Sequence, residues 1–377
     1  MSTSRKYFIV SISFLILVAL GAWLTWNGRG KESIKVGFVG CLTGRHSELG
    51  ISGRDGFMLA VEELNQAGGI HGQAVELIVK DDKHDPEAAL KADRELIAEG
   101  VLLIIGHMTS SMGRAALPLI NEQKIPMISP TITSDEFTGI DDQFIRVTSS
   151  NRDETKCLAS YAFYSLGLRR IVCVADLSNQ AYSQGICENF KAELEGFGGG
   201  IVPIEHITSG PNVDFVGLVD RILEHPPDGL LIAAGALDTA MVCQHMRKDG
   251  AQFPIMSSAW AMTEDLLQHG GPAVEGVIFS HFFDSESKNE KYRKFKNNFN
   301  RCFGRHPDFA ASQAYEAALM LFEVLQETRD RSEIKATILR KGQFHGLQGK
   351  YEIDGFGDAH RRYFIMTVKG NRFQSVE

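Results

Sequence analysis

Two clusters of small hydroxyl residues close otherwise apolar runs. "LLIIGHMTSS" ends in Ser110 and Ser111, and "IPMISPTITS" carries Thr131 and Thr133. A hydroxyl just before a helix caps it, because its oxygen accepts from the first unpaired N–H groups. The same hydroxyls, with helix N–H groups beside them, can hold a carboxylate. Two clusters after successive strands give weight to the second use, since ligands of open parallel sheets gather beyond the carboxyl ends of the strands. Three further residues have suitable chemistry. Tyr182 in "DLSNQAYSQG" can donate its phenolic hydroxyl, Asp238 in "AAGALDTAM" can balance an amine or cap a helix, and Trp260 in "PIMSSAWAMTED" can form an aromatic wall.

Bond-making chemistry finds less support. No GxSxG elbow, HExxH pair or GxxxxGKS/T loop occurs. "DDKHDP" gathers Asp81, Asp82, His84 and Asp85 but lacks the oxygen spacing and central glycine of a calcium loop. Gly50, Gly53 and Gly56 recur at intervals of three without the compact GxGxxG order that admits a pyrophosphate. Neither cofactor nor metal is expected. A hydrolase built on Ser110 or Ser111 needs a base, and His107 is merely close in sequence.

The elements that must position these residues alternate. "SIKVGFVG" reads as a strand, 52–66 as a helix, "AVELIVKDD" as a strand, and "DPEAALKADRELIAEG" as a helix with Asp85 as cap and Pro86 in its first turn. "VLLIIG", "SMGRAALPLINEQ" and "IPMIS" continue the order, and a second series of similar length starts after "FIRVTSSNRDE". This order predicts an α/β fold of mostly parallel sheets with helices on both faces, in two lobes. From Gly276 the chain supplies a strand, helices near 288–300 and 310–327, and the terminal strands "GKYEI" and "RRYFIMTV", which complete both lobes. Leu319, Phe322 and Leu325 mark the helix near 310–327 as core packing rather than a cofactor stripe.

The chain has 377 residues, enough for two or more compact domains, and a formal net charge of −8. Arg5, Lys6 and Arg29 contribute cations to the amino terminus, so the body is more acidic still, which excludes nucleic acid as a partner class. No charge interrupts Tyr7 through Gly28, and Trp23 and Trp26 follow the apolar run. Residues 1–30 are compatible with an uncleaved membrane anchor or a cleaved secretory signal, with Ala19-Leu20-Gly21 as a small-x-small site. Either places the body outside the cytoplasm, in the periplasm or on the extracytoplasmic face of the membrane. Of six cysteines, Cys157 and Cys187 are one possible disulfide pair, while Cys173 reads as an apolar strand residue.

Over about residues 33–370 the chain resembles the type I periplasmic substrate-binding proteins, in the branch of the branched-chain amino acid receptors. The signs are "IKVGFVGCLTG", "GISGRDGFMLAVEELNQAGGIHGQAVELIVKDDKHDPEAA", "IIGHMTSS", "IPMISPTITS", "FIRVTSSNRDE" and "AYSQG", in family order. The resemblance implies a first lobe of 33–146 plus 280–349, a second of 147–279 plus 350–377, and three crossovers between them. It implies that Ser110 and Thr133, with Thr131 backbone groups, hold a carboxylate, that Tyr182 approaches from the second lobe, and that Leu49, Ala236 and Ala259 help line the cavity. The family's pocket aspartate falls at Asn151 and a second acidic position at Ala259, which leaves Asp238 to compensate for an amine. An ammonium buried without a counter-charge carries a large desolvation penalty.

The function so implied is capture of a small carboxylate-bearing solute, an amino acid or related organic or aromatic acid, and delivery to an ABC permease. A membrane-tethered sensor that passes the same lobe closure to a signalling partner is the alternative, and a hydrolase on the same fold is a third reading.

Overall fold

The computed structural model of the chain describes residues 32–376, so the leader reading for 1–30 lies outside the described residues. Among the described residues no helix is long and apolar enough to cross a membrane. The first series comprises β1 (Ile34–Gly40), α1 (Ser47–Gln66), β2 (Val75–Asp81), α2 (Pro86–Ala98), β3 (Ile104–Ile105), α3 (Ser110–Glu122), β4 (Met127–Ser129) and β5 (Phe144–Arg146). Its five strands form one parallel sheet in the order β2-β1-β3-β4-β5. Six of the seven residues of β1 are buried, as befits a strand covered on both faces. Asp85 Oδ1 accepts from Ala88 N at 2.8 Å and Pro86 opens α2, so that helix begins where its residue types require.

The second series runs α4 (Asn151–Ser160), β6 (Arg170–Asp176), α5 (Gln180–Gly196), β7 (Gly200–Ile207), α6 (Phe215–Glu224), β8 (Gly229–Ala233), α7 (Ala236–Lys248), β9 (Ile255–Ser257), α8 (Glu264–Gly270) and β10 (Ile278–His281). The chain then forms α9 (Glu290–Phe303), α10 (Phe309–Leu325) and α11 (Arg331–Lys341), followed by strands β11 (Gln343–His345), β12 (Lys350–Ile353), β13 (Ala359–His360), β14 (Phe364–Val368) and β15 (Phe373–Ser375). The second sheet has the order β15-β14-β10-β9-β8-β6-β7, with β14 and β15 added antiparallel at one edge. The molecule is therefore two α/β lobes.

Two of the three expected lobe boundaries move. Residue 280 lies inside β10, which belongs to the second sheet. The 349/350 boundary cuts a separate three-stranded sheet, β11-β12-β13, and the chain rejoins the second sheet only at β14. That small sheet stays beside the first lobe because Arg146 N donates to Gly357 O at 3.0 Å and the buried Arg146 guanidinium meets Asp358 at 2.7 Å. The third crossover is tied to the first by Arg361, which pairs with Glu316 at 2.5 Å and donates to Val147 O at 2.8 Å.

The glycine triplet has a packing explanation. A Cβ on Gly50 would overlap the Cys41 carbonyl and one on Gly56 the Ala311 carbonyl, so the stripe lets α1 approach the end of β1 and α10 closely. The cysteine expectation is corrected too: Cys173 bonds to Cys187, with Cα atoms 5.9 Å apart, and Cys157 is free. Cys173 lies on β6 and Cys187 on α5, adjacent elements whose packing brings the two thiols together.

Candidate functional site

The two lobes meet around a cavity of about 430 Å³. Its first-lobe wall grows from the ends of β3 and β4. Thr109 is the N-cap of α3, with extended backbone and no side-chain capping bond, so Ser110 opens the helix toward the cavity. Ser110 Oγ accepts from Ser134 N at 3.4 Å. Thr131 Oγ1 donates to Met108 O at 2.6 Å, and the buried Thr133 Oγ1 has no protein partner. Among the described residues no lysine or arginine lines the space. An anion there is met by hydroxyls and the N-terminal N–H groups of a 13-residue helix.

From the second lobe, Tyr182 and Trp260 form an edge-to-face pair, with centroids 5.9 Å apart at 87°. Beside them lies Glu154, on the first turns of α4, whose Oε1 accepts from Ala259 N at 2.7 Å. Burial pushes this carboxyl up to about 8, against the Ala259 N–H and the Tyr182 hydroxyl, which favour its ionised form. Thr148 and Tyr363, from the first and third crossovers, and His281, the last residue of β10 before the second, complete the hinge side together with Gln313 from α10. His281 Nδ1 accepts from Phe283 N at 2.8 Å, and burial holds the ring neutral by lowering its pKa to about 3.

Of the expected residues, Leu49, Ser110, Thr131, Thr133, Tyr182, Ala259 and Trp260 line this cavity. Four others do not. Ser111 joins the lobes instead: its N–H donates to Asn179 Oδ1 at 3.0 Å and its Oγ accepts from Ala181 N at 3.2 Å. Asn151 is buried behind the wall, where its N–H donates to Thr133 O at 2.7 Å and its Nδ2 to Tyr182 O at 3.4 Å. Ala236 and Asp238 border a neighbouring space with Arg45 and His46. Asp238 accepts from Arg45 at 2.5 and 3.3 Å and from Ser209 Oγ at 2.5 Å, so its charge is already balanced. The acid that faces the cavity is Glu154, one turn beyond Asn151.

His107 offers no base to the serines. Its Nδ1 lies 2.8 Å from Asp82 and its Nε2 3.2 Å from Asp93. Burial opposes the charge, but the two carboxylates lift the imidazole to about 10.

Contacts between the lobes surround the cavity. Besides Arg45 and Asp238, Glu48 accepts from Thr263 Oγ1 at 2.6 Å and from Asp265 N at 3.1 Å. The His46 ring lies 4.6 Å from that of His84 and 5.1 Å from Trp260, and each imidazole reaches Ser178.

Two parallel-sheet lobes closed over a small, mostly uncharged cavity define a solute-binding clamp. The chain belongs to the periplasmic binding protein family, whose model matches residues 33–372. A Leu/Ile/Val-binding protein homolog from Brucella melitensis is 24% identical over 358 residues, covering 93% of this chain and 94% of the relative. A leucine binding protein from Thermotoga maritima superposes with a TM-score of 0.85 at 26% identity, over 91% of this chain and 98% of the other. A solute binding protein of an ABC transporter from Rhodopseudomonas palustris, solved with 3,4-dihydroxybenzoic acid, gives 0.82 at 21%, over 92% and 96%. The family places the protein among extracytoplasmic solute-binding receptors of ABC transporter type.

Proposed function

We propose that the protein closes around a small carboxylate-bearing solute, an amino acid or a related organic or aromatic acid, and delivers it to an ABC-type importer. The observation that carries this reading is the first-lobe wall: Ser110 at the start of α3 and an unpartnered, buried Thr133 hydroxyl, in a cavity lined by no cationic side chain. An anion held this way relies on charge-assisted hydrogen bonds, which are shorter and stronger than neutral ones. Leucine, for which the Thermotoga maritima protein is named, and the 3,4-dihydroxybenzoic acid held by the Rhodopseudomonas palustris protein both carry a carboxylate. Glu154 supports the amino-acid member of the class, because an ammonium beside it supplies the charge that burial otherwise suppresses.

Calorimetry with leucine, benzoate and their primary amides tests the carboxylate. The acids bind and the amides bind at least about tenfold more weakly, as expected for one charge-assisted bond worth roughly 1.5–3 kcal/mol. Ser110→Ala and Thr133→Val weaken acid binding by a similar factor. Amides that bind as well as acids, with both variants unaffected, overturn the reading. Delivery is tested by adding loaded protein to an importer in proteoliposomes and measuring stimulated ATP hydrolysis.

A further inference from the structure

Gln313 is a lone amide in the part of α10 where every residue from Phe309 to Ala318 is buried. It is 2% exposed, and neither Oε1 nor Nε2 has a hydrogen-bond partner among the described residues. Exchanging the two atoms leaves this deficit unchanged, so it does not depend on how the amide is oriented. The side chain borders the solute cavity on one side and a hinge-side cleft of about 1400 Å³ on the other. Thr148, His281 and Tyr363 line the same cavity, each with a polar atom to offer. A buried polar group left unmatched is strongly unfavourable, whereas a matched one is not. A purely aliphatic side chain gives this corner neither a donor nor an acceptor.

We propose that Gln313 is a specificity-determining residue, and that the solute carries a second hydrogen-bonding group, a hydroxyl or a carboxamide, which pairs with the Gln313 amide at the hinge side of the cavity. A carboxamide satisfies both atoms of the amide in a paired arrangement, and a hydroxyl satisfies one. This inference rests on the carboxylate reading of the cavity and narrows its substrate class. Recognition of this kind rejects an analogue lacking the polar group more strongly than an apolar wall rejects an added one.

The test compares near-isosteric pairs by calorimetry on the purified protein: leucine with asparagine, valine with threonine, and benzoate with 3- and 4-hydroxybenzoate. Each acid is measured beside its primary amide. Acid against amide reads the carboxylate; polar against apolar, within either series, reads Gln313, so failure of one reading is distinguishable from failure of the other. The polar member of at least one pair binds about tenfold or more tightly than its apolar partner, and Gln313→Met brings that ratio to one or reverses it. The wild-type ratio stands even where the variant folds poorly. Apolar members that bind as tightly as the polar members in every pair mean that water completes the amide, and overturn the proposal. A ratio unchanged in folded Gln313→Met overturns it as well.

Discussion

The backbone N–H of Ala259 donates to Glu154 Oε1 at 2.7 Å across 105 residues of chain. This bond fixes a buried carboxyl on the second-lobe wall of the cavity, opposite the hydroxyls of the first lobe. It also joins the start of α4 to the turn after β9, so the acid is held by the frame of its own lobe.

Glu154 gives the solute-free protein a pH signature. Its pKa rises from 4.5 to about 8 on burial. A carboxyl whose folded pKa exceeds its unfolded value holds its proton more tightly when folded. Its stabilising contribution is complete below the unfolded value and is lost as pH rises through the folded one. The melting temperature should fall between about pH 5 and pH 8, and Glu154→Gln should flatten the decline. Calorimetry at pH 7 in buffers of different ionisation enthalpy adds a second readout: an amine-bearing solute releases up to about one proton on binding, and a plain acid releases none.

The imidazoles of His46 and His84 respond in the opposite direction. Burial, then the neighbouring His84, lowers His46 from 6.5 to about 4 against the pull of Asp238; burial also lowers His84, against Asp82 and Asp176. A base with a depressed pKa contributes stability that is complete above its ordinary value and lost as pH falls toward the folded one. Since the His46 ring sits against Trp260 and Ser178 of the second lobe, acidification from about pH 6.5 toward about pH 4 should weaken solute binding, by up to about tenfold per unit where closure requires this ring to deprotonate. Dissociation constants measured across this range for wild type and His46→Gln check it, the variant giving the shallower curve.

Arg45 and Asp238 couple the lobes through a pair in which the aspartate is almost fully buried and the arginine partly exposed. Removing the arginine leaves Asp238 with Ser209 alone, and a buried charge deprived of its partner is strongly unfavourable. Arg45→Ala should weaken solute binding by about tenfold, and Asp238→Asn added to it should cause little further loss. A double-mutant cycle read by calorimetry measures the coupling.

The disulfide assignment is open to mass spectrometry. Alkylation of the denatured, unreduced protein should label four cysteines, Cys41, Cys157, Cys243 and Cys302, and spare Cys173 and Cys187. In the native protein Cys302, the exposed one, should react first.

Much of this architecture is visible in residue order. Apolar runs ending in hydroxyls announced strand ends that open onto helix starts, and Ser110, Thr131 and Thr133 stand there. Glu154 was hidden because "SNRDETK" has the look of a solvated helix start, where acids are ordinary company for the dipole. Its burial is decided by the turn carrying Ala259, far along the chain. Asp238 misled for the complementary reason: its partner Arg45 lies 193 residues away, and local sequence shows only an acid near a helix start. Gln313 did leave a trace, a single amide in the alanine-rich stretch "FAASQAYEAALM" that opens the helix. The lobe boundaries differ because β12 pairs locally with β11 on one side and β13 on the other, and short terminal strands carry no mark of the sheet they will join.

The cavity has one residue in or next to each of the three crossovers: Thr148 in the first, His281 at the end of β10 where the second begins, and Tyr363 in the third. In the clamp proposed above, a solute held against all three would sit beside the axis about which the lobes turn. Under rotation, points near an axis travel little and distant points travel far. The proposed clamp would therefore grip its cargo through small displacements while its outer edges swing widely, a mechanical gearing that would convert a few hydrogen bonds into a change of shape legible to another protein.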